Sequence, residues 1–152
     1  MEETVNIATF ILDDDQELLD LIKAAVDEAG IKNYKLFTDE GLFLKGLTDE
    51  IHVCVVDHFL TKLTGLDIVK EIKCKNEHSY VIAYTGMFQP KVIIDYINSG
   101  IDRFVDKNSN GHLQQLTGFL HEGIASATKR LDFHAFIKCE REKLKENDNG
   151  AL

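Results

Sequence analysis

The sequence predicts an α/β fold: a doubly wound parallel sheet of five strands, with strands and helices alternating along the chain. Short runs of β-branched and aromatic residues recur, and each is followed by a longer segment with the 3.6-residue period of an amphipathic helix. Several short runs are apolar throughout, which is typical of parallel strands covered by helices on both faces. Right-handed crossovers between such strands give a layered (βα)5 domain.

The first two strand–helix units are predicted within residues 8–47. The run ATFIL is followed by apolar residues spaced for one helix face, and that helix ends at Gly30. Asp14 and Glu17, three positions apart, are predicted to form a capping box at its start. The run YKLFT is followed by a predicted helix from about Glu40 to Leu47.

Three further units complete the pattern. The run HVCVV precedes a predicted helix from about Leu66 to Lys75, YVIAY precedes one from Pro90 to Asn98, and RFV precedes a long helical segment starting near Gly111. Pro90 suits a first helical position, and Gly100 suits the end of the fourth helix. For five strands, we expect the flavodoxin-like order 2-1-3-4-5.

Length and charge exclude several classes of protein. The 152 residues fit one domain with an ordinary core, and their formal net charge of -9 would repel a nucleic-acid backbone. No stretch approaches the roughly 18 apolar residues of a membrane span, so no membrane insertion is expected. Three widely spaced cysteines indicate reduced thiols rather than a disulfide framework. We therefore expect a cytoplasmic protein that does not bind nucleic acid directly.

Polar residues at the ends of the predicted strands are the candidates for a functional site, because ligands of open α/β sheets bind beyond the carboxyl ends of the strands. These positions hold three carboxylates, one hydroxyl and one ammonium: Asp13, Asp14, Asp57, Thr85 and Lys107. Clustered carboxylates need a hard cation, and Mg²⁺ favours carboxylate oxygens combined with a phosphate. Asp13 and Asp14 are therefore the predicted metal-binding pair.

Asp57 is suited to accept a phosphoryl group. A carboxylate can attack phosphorus and form an acyl phosphate when a metal and an ammonium offset the repulsion between the two anions. The hydroxyl of Thr85 and the ammonium of Lys107 are suited to contact phosphoryl oxygens. Helix capping alone would explain one aspartate, but it does not explain the whole set.

Four stretches, ILDDDQELLDLI, VVDHFLTKLTGLDIVKEIK, VIAYTG and SGIDRFVDK, resemble in order and spacing the CheY-type receiver domains of two-component response regulators. The resemblance covers about residues 4–125. It implies that Asp57 is the phosphoacceptor. It also implies that Asp13, Asp14 and Asp57 hold Mg²⁺ together with the backbone carbonyl of Phe59.

The resemblance further implies that Thr85 and Lys107 contact the phosphoryl group, and that Thr85 and Phe104 form the switch. On this basis the chain is a phosphorylation-activated receiver in a phosphorelay, taking its phosphoryl group from a histidine kinase or a histidine phosphotransfer protein. It would signal to a downstream protein target or a fused output domain. It would not be an enzyme, since its only phosphoryl chemistry would be self-directed transfer and dephosphorylation.

Two positions depart from the family pattern. Asn108 stands where the family has a proline, so the Lys107–Asn108 peptide is either trans, with a different loop, or cis and strained. Thr61 replaces a proline of the loop after the phosphoacceptor, which is expected to loosen that loop. Asn108 alone favours the alternative, a degenerate receiver that acts as an unphosphorylated interaction module.

Two other function classes fit less well. The segment DHFLT is similar to the DxDxT loop of haloacid-dehalogenase-like phosphatases, but Phe59 replaces the second aspartate and the chain is too short for a cap domain. A flavodoxin would need a phosphate cradle of Ser, Thr and Gly after the first strand. The chain instead has LDDDQE there, which would repel the phosphate of the cofactor.

The chain continues beyond the usual end of a receiver. We expect a receiver domain at residues 1–125 and a helical extension at residues 126–152, serving as an interface or signalling helix. Phe133, Phe136 and Ile137 would form an exposed patch, which is typical of partner or homodimer interfaces. The alternative is that the extension folds back onto its own domain. Either a stand-alone receiver or part of a longer chain fits the sequence.

Overall fold

The computed structural model describes residues 6–87 and 89–150, except for the side chains of 149 and 150. Its strands are β1 (Thr9–Leu12), β2 (Tyr34–Phe37), β3 (Val53–Val56), β4 (Tyr80–Thr85) and β5 (Arg103–Asp106). Its helices are α1 (Gln16–Glu28), α2 (Glu40–Gly46), α3 (Gly65–Lys75), α4 (Pro90–Asn98) and α5 (His112–Gly150). The alternation along the chain confirms the (βα)5 prediction.

The strands form one parallel sheet in the order β2-β1-β3-β4-β5, which confirms the predicted order. Leu12, the last residue of β1, pairs with Val56, the last residue of β3. The residues that follow these two strands therefore begin at the same level of the same edge. The sheet thus places the ends of β1 and β3 side by side.

Helices cover both faces of the sheet. On one face, α1 and α5 pack against alternate strand residues in a cluster that includes Ile11, Val55, Ile82, Leu19, Ile22, Leu116 and Leu120. On the other face, α2, α3 and α4 contribute to a cluster that includes Phe10, Cys54, Val81, Phe43, Ile68 and Tyr96. All residues of β1, β3 and β4 are buried as a result, which explains why their sequences are almost uninterrupted apolar runs.

The capping box predicted at Asp14 and Glu17 is wrong. Asp15 is the N-cap of α1, and its side chain accepts the N–H of Leu18 at 3.2 Å. The carboxylate of Asp13 accepts the N–H of Asp15 at 2.9 Å, and this turn delays the start of the helix by one residue. Asp14 is thereby left outside the helix.

The predicted helix ends are confirmed. Gly30 follows α1 with φ of 79° and Gly100 follows α4 with φ of 90°, a left-handed conformation that glycine adopts without strain. Pro90 occupies the first turn of α4. Gly30 and Gly100 thus end α1 and α4 and return the chain to the sheet, whereas Pro90 begins α4.

Helix α5 is longer than the sheet it covers. Leu116, Leu120 and Ala127 are buried, whereas Phe133 and Phe136 are 60% and 59% exposed. The helix runs without a break through residue 125, so the division into a receiver and an extension remains a prediction. Among the described residues, no helix is both long and apolar enough to span a membrane.

Candidate functional site

Three aspartates meet at the carboxyl edge of the sheet. Asp13 and Asp14 follow β1 and Asp57 follows β3, and one carboxylate oxygen from each lies within 4.8 Å of the others. Asp13 and Asp57 are buried, whereas Asp14 is exposed. This geometry concentrates negative charge at a place where Asp14 is in contact with solvent. Mutual repulsion makes the cluster unfavourable unless a cation offsets it.

Lys107 supplies part of that positive charge. Its ammonium lies 2.5 Å from Oδ2 of Asp13 and 3.2 Å from Oδ2 of Asp57. Burial raises the pKa of the Asp13 carboxyl, although the hydrogen bonds from Lys107 and from the backbone of Asp15 act in the opposite direction. One ammonium among three carboxylates leaves an excess of negative charge at the site.

The loop that carries Lys107 closes without a proline. All peptide bonds between described residues are trans, including the bond between Lys107 and Asn108. The N–H of Asn108 donates to Oδ1 of Asp106 at 2.8 Å, and the hydroxyl of Ser109 donates to the carbonyl of Asp106 at 2.8 Å. Of the two geometries left open by the sequence, the loop has the trans one, held by local hydrogen bonds.

Thr85 is the buried last residue of β4. Its carbonyl accepts the N–H of Lys107 at 3.2 Å, which ties the ends of β4 and β5 together. Its hydroxyl accepts the N–H of Met87 at 3.2 Å. Phe104, on β5, pairs with Ala83 of β4 and packs partly buried against the cluster that contains Tyr96. Thr85 and Phe104 thus belong to the same two-strand unit.

Phe59, predicted to bind metal through its carbonyl, lies in the loop after Asp57. Its side chain is 58% exposed, and its backbone forms an isolated antiparallel bridge with Thr64. The contribution of its carbonyl oxygen to a metal site stays a prediction. The three nearby carboxylates form a hard oxygen donor set, and this set fits Mg²⁺.

Gly65 and Tyr96 were missed in the sequence, although they shape the site. A Cβ on Gly65 would lie 2.3 Å from the carbonyl oxygen of Asp57 and 2.4 Å from the hydroxyl of Tyr96. That hydroxyl lies 2.6 Å from Nδ1 of His58, the residue after Asp57. A glycine at the first position of α3, rather than in a turn, was the only sequence signal of this close approach.

Glu40 was also missed. It is the first residue of α2 and is only 5% exposed. Its carboxylate accepts backbone N–H groups from Lys62 and Leu63, which belong to the loop between β3 and α3. The partners are main-chain groups more than twenty residues away, so no side-chain pattern in the sequence could indicate them.

A model of the response regulator receiver domain matches residues 9–117 of the chain. The chain belongs to this family. Receiver domains are the regulatory modules of response regulators in two-component signalling, as the sequence predicted. The match includes Asp13, Asp14, Asp57, Thr85 and Lys107.

Known proteins with the receiver fold resemble this receiver closely in structure. The CheY-like receiver domain protein of Methanospirillum hungatei JF-1 has a TM-score of 0.72 at 20% identity, over 82% of this chain and 98% of that chain. The beryllofluoride-activated DrrB receiver domain has a TM-score of 0.69 at 22% identity, over 78% and 97% of the two chains. At these identities, the likeness shows the fold.

A cyclic di-GMP phosphodiesterase of Thermotoga maritima is 26% identical over 100 residues, which are 66% of this chain and 26% of that protein. This receiver therefore spans about a quarter of the length of that curated relative.

Proposed function

We propose that this receiver is activated by phosphorylation in a two-component phosphorelay, and that Asp57 accepts the phosphoryl group. The observation that carries the proposal is the ammonium of Lys107, which lies within ion-pair distance of both Asp13 and Asp57. The donor would be a phosphohistidine of a histidine kinase or a histidine phosphotransfer protein. The site would operate in the cytoplasm.

In the proposed transfer, a carboxylate oxygen of Asp57 forms a bond to phosphorus while the bond between phosphorus and the donor imidazole nitrogen breaks. The electron pair of that broken bond stays on the nitrogen, and Asp57 becomes an acyl phosphate. The ammonium of Lys107 offsets the charge on one phosphoryl oxygen, and the hydroxyl of Thr85 hydrogen-bonds another.

Asp13, Asp14 and Asp57, with the carbonyl of Phe59, would hold Mg²⁺. The ion would supply positive charge that offsets the repulsion between the carboxylate and the phosphoryl oxygens. The excess negative charge of the cluster supports this role. The chain would be a phosphoryl acceptor with self-directed chemistry rather than an enzyme with turnover.

Phosphorylation would reach partners through Thr85 and Phe104. A move of Thr85 toward the phosphoryl group would free space for a new rotamer of Phe104, and so change the surface beside β5. On that side, α4 exposes Ile94 and Ile97, 54% and 61% accessible. This surface would contact a downstream target or a fused output domain, and the projecting part of α5 would serve a homodimer or a signalling helix.

Beryllofluoride, a mimic of an aspartyl phosphate, tests the proposal directly. Added with Mg²⁺ to the wild-type protein, it is expected to shift backbone amide resonances around Asp57, Thr85 and Phe104. Asp57→Asn should abolish these shifts, because the amide that replaces the carboxylate cannot bond to beryllium. An unchanged wild-type spectrum would contradict phosphorylation and favour the degenerate receiver, an interaction module that works without it.

A further inference from the structure

Glu40 joins α2 to the loop that follows the proposed phosphoacceptor. One carboxylate oxygen accepts the N–H of Lys62 at 2.9 Å, and the other accepts the N–H groups of Lys62 at 3.1 Å and Leu63 at 3.2 Å. We propose that Glu40 is a positioning residue for the metal and phosphoryl site, because it clamps this loop in the shape that the site needs. The inference rests on the proposed function and names a further residue for it.

The burial, hydrogen bonds and position of Glu40 all favour this interaction. Glu40 is 5% exposed, and a carboxylate buried to that extent is unfavourable unless hydrogen bonds replace its water. Backbone N–H groups that donate to a carboxylate form charge-assisted bonds, which are stronger than neutral ones. Glu40 also lies at the start of α2, where the helix dipole favours a negative charge.

The loop transmits this restraint to the site. Phe59 and Thr64 pair across its base, and the N–H of Gly65 donates to the carbonyl of His58 at 3.0 Å. Lys62 and Leu63 form the tip of this hairpin-like loop. Holding the tip therefore also holds the pairing of Phe59 with Thr64 at the base. The carbonyl of Phe59 is the predicted fourth metal ligand.

Thr61 explains why this chain needs the clamp. A proline at this position would fix φ near -65° and stiffen the loop by itself, whereas threonine has no ring that fixes φ and allows a wider range of backbone conformations. The bonds from Lys62 and Leu63 to Glu40 begin at the next residue along the chain. Glu40 therefore supplies from α2 the restraint that the loop sequence lacks.

Glu40→Gln tests the clamp, because glutamine keeps the length of the side chain and loses one of two acceptor oxygens. Mg²⁺ affinity, measured by calorimetry on the otherwise unmodified chain, is expected to fall roughly 10-fold, as for other residues that orient metal ligands. Hydrogen exchange at the amides of Lys62 and Leu63 should accelerate. Glu40→Asp, which keeps the charge and shortens the reach, should show the same losses if Glu40→Gln does not fold.

Asp39→Asn is the matched control. It removes the same charge from the neighbouring position, but Asp39 caps α2 through the N–H of Leu42 and asparagine also caps well. Its Mg²⁺ affinity should equal that of the wild type. A Glu40→Gln protein with lower thermal stability but wild-type Mg²⁺ affinity would overturn the positioning role alone. A wild-type protein that binds no Mg²⁺ would overturn the proposed function and this role together.

Discussion

Gly65→Ala is expected to lower the free energy of unfolding by about 2–3 kcal/mol, near the upper end of overpacking effects. The added Cβ would lie 2.3 Å from the backbone oxygen of Asp57 and 2.4 Å from the hydroxyl of Tyr96. Backbone cannot rotate away as the end of a side chain can, so the start of α3 or the end of β3 must shift. Urea denaturation followed by circular dichroism measures the loss.

Gly118→Ala is the control for this substitution. Gly118 lies within α5, and a Cβ there would meet nothing within 4 Å. Alanine should therefore raise the free energy of unfolding by about 0.5–1 kcal/mol, because it favours the helix over the unfolded chain. Equal changes in the free energy of unfolding in the two variants would mean that the close approach of Gly65 to Asp57 does not affect stability. Beryllofluoride binding should weaken in Gly65→Ala alone, because only there is the backbone of Asp57 displaced.

Lys107→Met should have the second large effect, because it leaves two buried carboxylates without their ammonium. Loss of one partner from a fully buried ion pair costs about 3–5 kcal/mol. The side chain of Lys107 is 19% exposed, so solvent reduces the expected loss to roughly 1–3 kcal/mol at neutral pH. Mg²⁺ should recover part of it, because the cation would replace the lost positive charge.

The effect of Lys107→Met should depend on pH. Burial raises the pKa of Asp13 and Lys107 lowers it, so the substitution raises this pKa further. When the pKa of a carboxyl is higher in the folded than in the unfolded state, the folded protein loses stability as the pH rises through the titration of that carboxyl. The difference in the free energy of unfolding between Lys107→Met and the wild type should therefore be small in acid and reach its full size at neutral pH.

Lys143→Met is the control. Lys143 lies 3.2 Å from Glu140, the same distance as that between Lys107 and Asp57, but both residues of this pair are largely exposed. Exposed pairs contribute little to stability. A loss of stability in Lys143→Met as large as that in Lys107→Met would show that burial of the aspartate cluster does not determine the loss.

The sequence predicted those features that depend on strand ends and periodicity. A parallel sheet brings the residues after its strands to one edge, so Asp13, Asp57 and Lys107 could be placed together although up to 94 positions separate them. The sheet order followed from the number of strands and from apolar runs that required helices on both faces. These inferences depend on patterns along the chain.

Features set by local competition or by main-chain partners were not predictable. Asp13, Asp14 and Asp15 are the same residue type, and each could cap a helix. In the structure Asp15 caps α1, while Asp13 accepts the N–H of Asp15. Glu40 bonds to backbone groups, which every sequence contains. The hydrogen bond between His58 and Tyr96 depends on where α4 places Tyr96 relative to the loop after β3, and no periodicity encodes that contact.

Mass spectrometry after incubation with acetyl phosphate and Mg²⁺ shows whether Asp57 is the phosphoacceptor. We expect that the wild-type chain gains one phosphoryl group, that borohydride reduction maps it to Asp57, and that Asp57→Asn gains none. Asp15→Asn, which changes a neighbouring carboxylate assigned only to helix capping, should still be phosphorylated. A phosphoryl group on another residue, or a wild-type chain that stays unmodified, would show that Asp57 is not the phosphoacceptor.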